Sequence, residues 1–250
     1  MTATPEPRDL RVLPDPAAVA EAAARELFAA AHHAVRERGT FTLALSGGST
    51  PKRLYSLLAQ QDRPFFAEFP WAKTEVYFGD ERFVLPDHAD SNYRMAHEAL
   101  LAHVPVPPAS IHRVRTELAT PEASAHDYEG RLPRPAFAAH PPIPALDLVL
   151  LGMGKDAHTA SLFPDTTALA ETTRLVVANF VPKLDAHRVT FTLPLINHAQ
   201  AVLFLVTGAD KAAPLSCVLA GPSPSLPASL VQPVSGRLTW LVDAAAAKAL

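Results

Sequence analysis

The chain has 250 residues, 48% apolar and 19% charged, enough to bury a sizeable core and to exclude a disordered or fibrous protein. Its net charge of −3, with no Lys/Arg cluster, argues against nucleic-acid or membrane-surface partners, although an acidic protein can still hold a basic site for a small anion. Cys217 is the sole cysteine, which leaves no internal disulfide or thiolate metal cluster. The opening MTATPEPRDLRV lacks an apolar signal-peptide core, and no run approaches the ~20 residues of a membrane span, so the cytoplasm is the expected compartment.

In chain order, Asp15-Pro16 caps and starts a helix. Val19, Ala23, Leu27, Ala31 and Val35 form its apolar stripe, and Gly39 stops it. Thr40 to Leu45 reads as a strand, Lys52 to Ala59 as a helix with Pro51 at its first position, Glu75 to Phe78 as a strand and Asn92 to Ala102 as a helix. Leu146 to Leu151, Arg188 to Leu193, Val202 to Val206 and Leu238 to Val242 are further strands; a helix is expected after Gly208, and Ala244 to Ala247 also reads as helix. The 25 prolines lie mostly in connecting segments, notably Pro105 to Pro108, Pro133 to Pro144 and Pro222 to Pro233, which read as rigid loops within one domain spanning 1–250. Continuous apolar strands alternating with helices predict a doubly wound, mainly parallel Rossmann-like α/β sheet with helices on both faces. Ligands of such sheets bind beyond the carboxyl ends of the strands, so the loops at Ser46, Gly79, Gly152 and Gly208 are expected along one edge.

The first of these loops, Ser46-Gly47-Gly48-Ser49-Thr50, joins a strand to a helix. Its glycines let backbone N–H groups wrap an anion, its hydroxyls add donors, and the helix dipole favours negative charge. An ordinary capped turn would use the same residues. The second loop presents Asp80, Glu81 and Arg82: Arg82 suits a phosphate or an oxyanion, and the acids suit bases or structural acceptors. A surface cluster is the bland alternative for this triplet, and Asn92 and Arg94 are expected only to cap the next helix.

The third loop, LGMGKDAHTASLFP, is the most informative stretch. Gly152 and Gly154 allow a sharp turn, and Asp156 beside His158 favours general-base work, the carboxylate fixing the tautomer. A structural histidine is the alternative. A zinc site lacks a third ligand at recognisable spacing. Further on come Lys183, His187 and Arg188, with Lys211 in the turn after a strand, where it can reach an anion held by another loop. His187 reads best as a solvated charge.

Together SGGSTP, GDER, SNYRMA, LLGMGKDAHTASLFP, HRVTFTLP and TGADKA resemble the 6-phosphogluconolactonase family, within the glucosamine-6-phosphate isomerase/lactonase group, over nearly the whole chain. One departure is Ala157, where the family usually has glycine; it tightens the turn without removing a functional group. The resemblance implies hydrolysis of 6-phospho-D-glucono-1,5-lactone to 6-phosphogluconate, the second step of the oxidative pentose phosphate pathway, with no cofactor or metal, in a monomer or small homo-oligomer. His158, oriented by Asp156, would activate water; Arg82 and Lys183 would stabilise the oxyanion or departing ring oxygen. Ser46 to Thr50 and Lys211 would hold the phosphate, with Asp80 and Arg188 also contacting the substrate.

The nearest rival is amino-sugar phosphate deamination. Enzymes with that activity resemble this chain but carry a Glu five residues after the histidine, where Phe163 stands here and cannot transfer a proton. A non-catalytic sugar-phosphate sensor would need a helix-turn-helix and a basic patch, for which the short N-terminus leaves no room.

Overall fold

The computed structural model describes residues 9–63, 67–133 and 143–250. The first eight residues and most of the stretch from Pro133 to Pro144 lie outside the described residues.

Six strands build one all-parallel sheet: β1 (Asp9–Leu13), β2 (Phe41–Leu45), β3 (Thr74–Phe78), β5 (Leu148–Leu151), β8 (Ala201–Val206) and β9 (Arg237–Asp243). Their spatial order is β1-β9-β8-β5-β2-β3. The expected mainly parallel, doubly wound α/β architecture is therefore present. Side chains alternate between two apolar faces, which is why the strands read as continuous apolar runs. Leu43, Leu45, Val76, Phe78, Leu203 and Leu205 face a core closed by α1 (Pro16–Arg38) and α2 (Ser49–Leu58). Ala44, Tyr77, Val149, Leu151, Phe204 and Val206 face the other core, with Tyr128 of α4 (Pro121–Gly130) and Leu215 and Val218 of α6 (Ala212–Ala220). α1 begins and ends as its sequence predicts: Asp15 accepts hydrogen bonds from the Ala17 and Ala18 N–H groups, and Gly39 closes it at φ 81°.

Several expectations need correction. The segment expected at Arg188 to Leu193 is β7 (Ala186–Phe191), and it does not join the parallel sheet. It lies in a three-stranded antiparallel sheet between β4 (Asp80–Arg82) and β6 (Val176–Val181). This small sheet buries Val176, Val189 and Phe191 in the second core. β4 is three polar residues and escapes any periodicity argument. β1 escapes it too, as an edge strand exposing Leu10 and Val12. α2 begins at Ser49, not Pro51, because Gly48 at φ 105° makes the turn and starts the helix two residues earlier. The helix expected over Asn92 to Ala102 is α-helical as α3 (Asn92–Ala96) and continues as a π-helix over His97–Leu101. The alanine run at 244–247 contributes only a 3-10 turn, Ala246–Ala249. α5 (Leu193–Ile196) is a single turn after β7.

β2 connects outward to β3, whereas β5 connects the opposite way to β8. The loops following β2 and β5 therefore diverge at adjacent strands and open a crevice at the carboxyl edge. No helix among the described residues is long and apolar enough to cross a membrane.

Candidate active site

That crevice is a cavity of about 260 Å³, where Ser46 to Thr50 meet Asp80, Arg82, Gly154, His158 and Lys211. It continues into a second chamber of about 450 Å³ that adds Asp156, Phe163, Lys183 and Arg188. Asp80, Arg82, Gly154, His158 and Lys211 line both. The twelve residues expected from the sequence are thus gathered into one cleft, although β2, β4, β5, β6, β7 and β8 deliver them separately.

The Ser46 loop is shaped for an anion. A Cβ on Gly47 would fall 2.0 Å from the Asn92 Oδ1, so only glycine fits against that side chain. The loop is braced from beneath: the Ser46 N–H donates to the Tyr55 hydroxyl at 2.9 Å, and that hydroxyl donates to the Ser46 carbonyl at 2.7 Å. Thr50 is lashed to Thr207, at the end of β8, by a 2.7 Å hydroxyl contact. Because α2 starts at Ser49, the N–H groups of Ser49 and Thr50 belong to a helix N-terminus at the cavity wall, a favourable seat for negative charge.

The acids of the second loop divide their work. Glu81 is buried and accepts from the Asn92, Tyr93 and Arg82 N–H groups and the Ser91 hydroxyl, so it ties β4 to the start of α3. Burial raises its pKa, against those hydrogen bonds. Asp80 instead faces the cavity, accepting from Ser161 Oγ at 2.7 Å and Asn92 Nδ2 at 3.2 Å. The Arg82 guanidinium is oriented by the Asp90 carbonyl at 2.6 Å. Arg82 and Arg188 stand directly opposite on β4 and β7. Two like charges in register repel, and burial, with Arg82 adding, lowers the Arg188 pKa. An anion between them would relieve that repulsion.

The third loop is a compact turn. The Gly154 N–H donates to the His158 carbonyl at 2.9 Å, and the Thr159 hydroxyl donates to the Gly152 carbonyl at 2.9 Å. Ala157 is buried at φ 59°, in the left-handed region where glycine is the unstrained residue. His158 Nδ1 lies 2.5 Å from Asp156 Oδ1. A carboxylate oxygen only accepts, so Nδ1 carries the proton and Nε2 keeps its lone pair. Burial pushes the imidazole pKa down to about 4; Lys211, Arg188 and Arg82 push the same way and Asp80 opposes them. His158 is therefore neutral at ordinary pH. Its ring stacks on Phe163, with centroids 4.0 Å apart and planes 22° apart. The Lys183 ammonium contacts the other oxygen of Asp156 and lies 4.6 Å from the Phe163 ring centre. Burial lowers the lysine pKa. Lys183 thus approaches the chemistry through Asp156 and Phe163, as the other end of a Lys183–Asp156–His158 chain.

Three residues that orient the site's acid and base, Asn92, Ser161 and Phe163, were not among the expected site residues. Asn92 is buried and lines the cavity, its amide donating to the Asp80 carbonyl at 3.0 Å; the cap of α3 is Ser91 instead. Ser161 orients Asp80, and Phe163 carries His158. No spacing rule reveals Asn92 or Ser161, because their partners lie on other strands. His187 packs against Phe180, and Arg94 pairs with Glu98, both outside the cleft. Among the described residues, no group of three His, Cys, Asp or Glu side chains is arranged to hold a metal ion.

The family described as glucosamine-6-phosphate isomerases/6-phosphogluconolactonase matches residues 14–240. A 6-phosphogluconolactonase of Nostoc sp. is 45% identical over 242 residues, covering 96% of this chain and 97% of its own length. A human 6-phosphogluconolactonase is 42% identical, covering 85% of this chain and 82% of its own. The solved 6-phosphogluconolactonase from Trypanosoma cruzi superposes with a TM-score of 0.85 at 31% identity, covering 100% of this chain and 99% of its own.

Proposed function

Because the chain belongs to the glucosamine-6-phosphate isomerase/6-phosphogluconolactonase family, we propose that it hydrolyses 6-phosphogluconolactone to 6-phosphogluconate. The observation that carries this reading is the neutral His158, bonded to Asp156 and stacked on Phe163, at the junction of the two chambers.

In this reading the phosphate lies against the Ser46 to Thr50 loop and Lys211, with Gly47 and Gly48 letting the backbone approach it. Arg82 and Arg188 face the same cleft as cationic partners for anionic oxygens. Asp80, a carboxylate, suits sugar hydroxyls better than phosphate. Binding at the phosphate end brings the lactone carbonyl to His158. Nε2 removes a proton from water as its oxygen bonds to C1, and the carbonyl electrons move onto oxygen beside Arg82. Collapse of that intermediate breaks the bond from C1 to the ring oxygen, which takes the proton back from the imidazolium. Asp156 holds the imidazole and stabilises its charged form, and Lys183 balances the Asp156 charge from the opposite side.

Residues 1–250 act as one lactonase domain, supported by two cores packed on a single central sheet. The substrate places the reaction in the oxidative pentose phosphate pathway. The cytoplasm is the expected compartment on composition, with a single cysteine, and a monomer or small homo-oligomer the expected state.

The direct test is acid release from freshly generated 6-phosphogluconolactone, corrected for spontaneous opening, beside ammonia release from glucosamine 6-phosphate. Lactone turnover without ammonia is expected, since Phe163 supplies no carboxylate. Ammonia release rivalling lactone hydrolysis would overturn the assignment, and absence of both would favour a sensor.

A further inference from the structure

We propose that Phe163 is a positioning residue for the hydrolysis, its ring fixing the plane of the His158 imidazole and holding Lys183 against Asp156. The inference rests on the reading of His158 as the base. The Asp156 hydrogen bond anchors the imidazole at Nδ1 alone. One anchor leaves the ring free to tilt about it, which would swing Nε2 away from the carbonyl. The Phe163 face, 4.0 Å away and nearly parallel, blocks that tilt. Lys183 has the same need: its side chain is 49% exposed, and without an aromatic surface it would exchange Asp156 for water.

The plate itself is held still. Phe163 is only 4% exposed, beside the fully buried Leu162. The Leu162 N–H donates to the Thr159 carbonyl at 2.9 Å, and the Thr166 hydroxyl donates to the Phe163 carbonyl at 2.8 Å. Thr159 is in turn bonded to Gly152, so base, plate and strand end form one braced unit. The ring also keeps water from one face of the imidazole. The charges around that imidazole are Asp156 on its own loop, Asp80 and Arg82 from β4, Arg188 from β7, Lys183 after β6 and Lys211 after β8. With Phe163 in place, burial outweighs the opposing charge of Asp80.

The test compares Phe163→Leu with Phe163→Tyr, reading kcat, affinity for 6-phosphogluconate by calorimetry, and the His158 titration by NMR. Phe163→Leu should lower kcat about ten- to a hundredfold, as expected for a reacting group displaced by a fraction of an ångström to one ångström. Product affinity should change less than about threefold, because an apolar ring makes no contact of the kind phosphate needs. The His158 titration should move up from about 4 toward its ordinary value near 6.5 as water reaches the ring. Phe163→Tyr, which keeps the flat face, should retain both kcat and titration. If the leucine variant fails to fold, Phe163→Met tests the same loss of a flat face at similar volume. A folded leucine or methionine variant with wild-type kcat and an unmoved His158 titration overturns the proposal. Should the wild type not hydrolyse the lactone, the functional reading fails separately. The NMR titrations then still decide the role of Phe163, an unmoved signal refuting it.

Discussion

Gly154→Ala adds one methyl group to the loop that carries the base. Its Cβ would lie 2.0 Å from His158 Nδ1, 2.2 Å from Cε1 and 2.6 Å from Asp156 Oδ1. Ordinary contact begins at 3.4 Å, so the imidazole must retreat by about 1.4 Å or leave its rotamer. Gly154 is not in the left-handed region, so the backbone tolerates alanine and the effect is confined to the catalytic pair. Helices and sheets are untouched, so the thermal transition should stay within a few degrees of wild type. Turnover should fall about a hundredfold or more, the cost of misplacing a catalytic group by ~1 Å, equivalent to roughly 2.7 kcal/mol in the barrier. The assay is acid release from fresh lactone at saturating substrate, with circular dichroism as the control for folding. A folded Gly154→Ala protein with wild-type kcat would show that the Asp156–His158 pair does not perform the chemistry, and the catalytic assignment would fall with it.

The imidazole is the base only when unprotonated, and burial holds its pKa down to about 4. The pH profile of kcat at saturating substrate should therefore be level through neutrality and fall only as pH drops through about 4, and the His158 NMR titration should show no inflection near 6.5; one there would contradict the buried geometry. The same shift affects stability: the unfolded chain takes up this proton near pH 6.5 and the folded one does not. His158 should thus weaken the fold as pH drops from about 6.5 to 4, by up to roughly 3 kcal/mol, measurable as a falling denaturation midpoint. At the opposite end of the sheet, buried Asp147 accepts from Arg38 at 2.5 Å and from the Thr42 N–H and hydroxyl, each at 2.8 Å. Asp147→Ala should cost about 3 kcal/mol and lower the melting temperature by roughly 6–12 °C, while kcat is unchanged in the protein that remains folded. A melting temperature within 2 °C of wild type would mean the network is dispensable.

Strand-end chemistry was legible in the sequence because glycines, hydroxyls and the Asp156–His158 pair follow apolar runs directly, and loop composition reports what the local backbone must do. The parallel sheet was legible for a similar reason, since strands buried on both faces must be apolar throughout. The antiparallel sheet was not. β4 is Asp80, Glu81 and Arg82, whose strand character comes from pairing with Val189 and its neighbours more than a hundred residues away. Asn92 read as a helix cap because its spacing to α3 is local, whereas its packing on Gly47 and Asp80 is not. Phe163 read only as the absence of a carboxylate, and its contact with His158 made it a support.

The sequence by itself determined the inventory: which loops bend, which carry an acid, a base or a cation, and which runs must be buried. Those properties follow from each residue and its near neighbours. Only the tertiary structure decided that Lys183 meets Asp156, that Arg82 faces Arg188, and that Glu81 supports the helix while Asp80 turns to the cavity. Such pairings depend on strand order and register, which are set by the packing of both cores at once and leave no periodic mark on the chain.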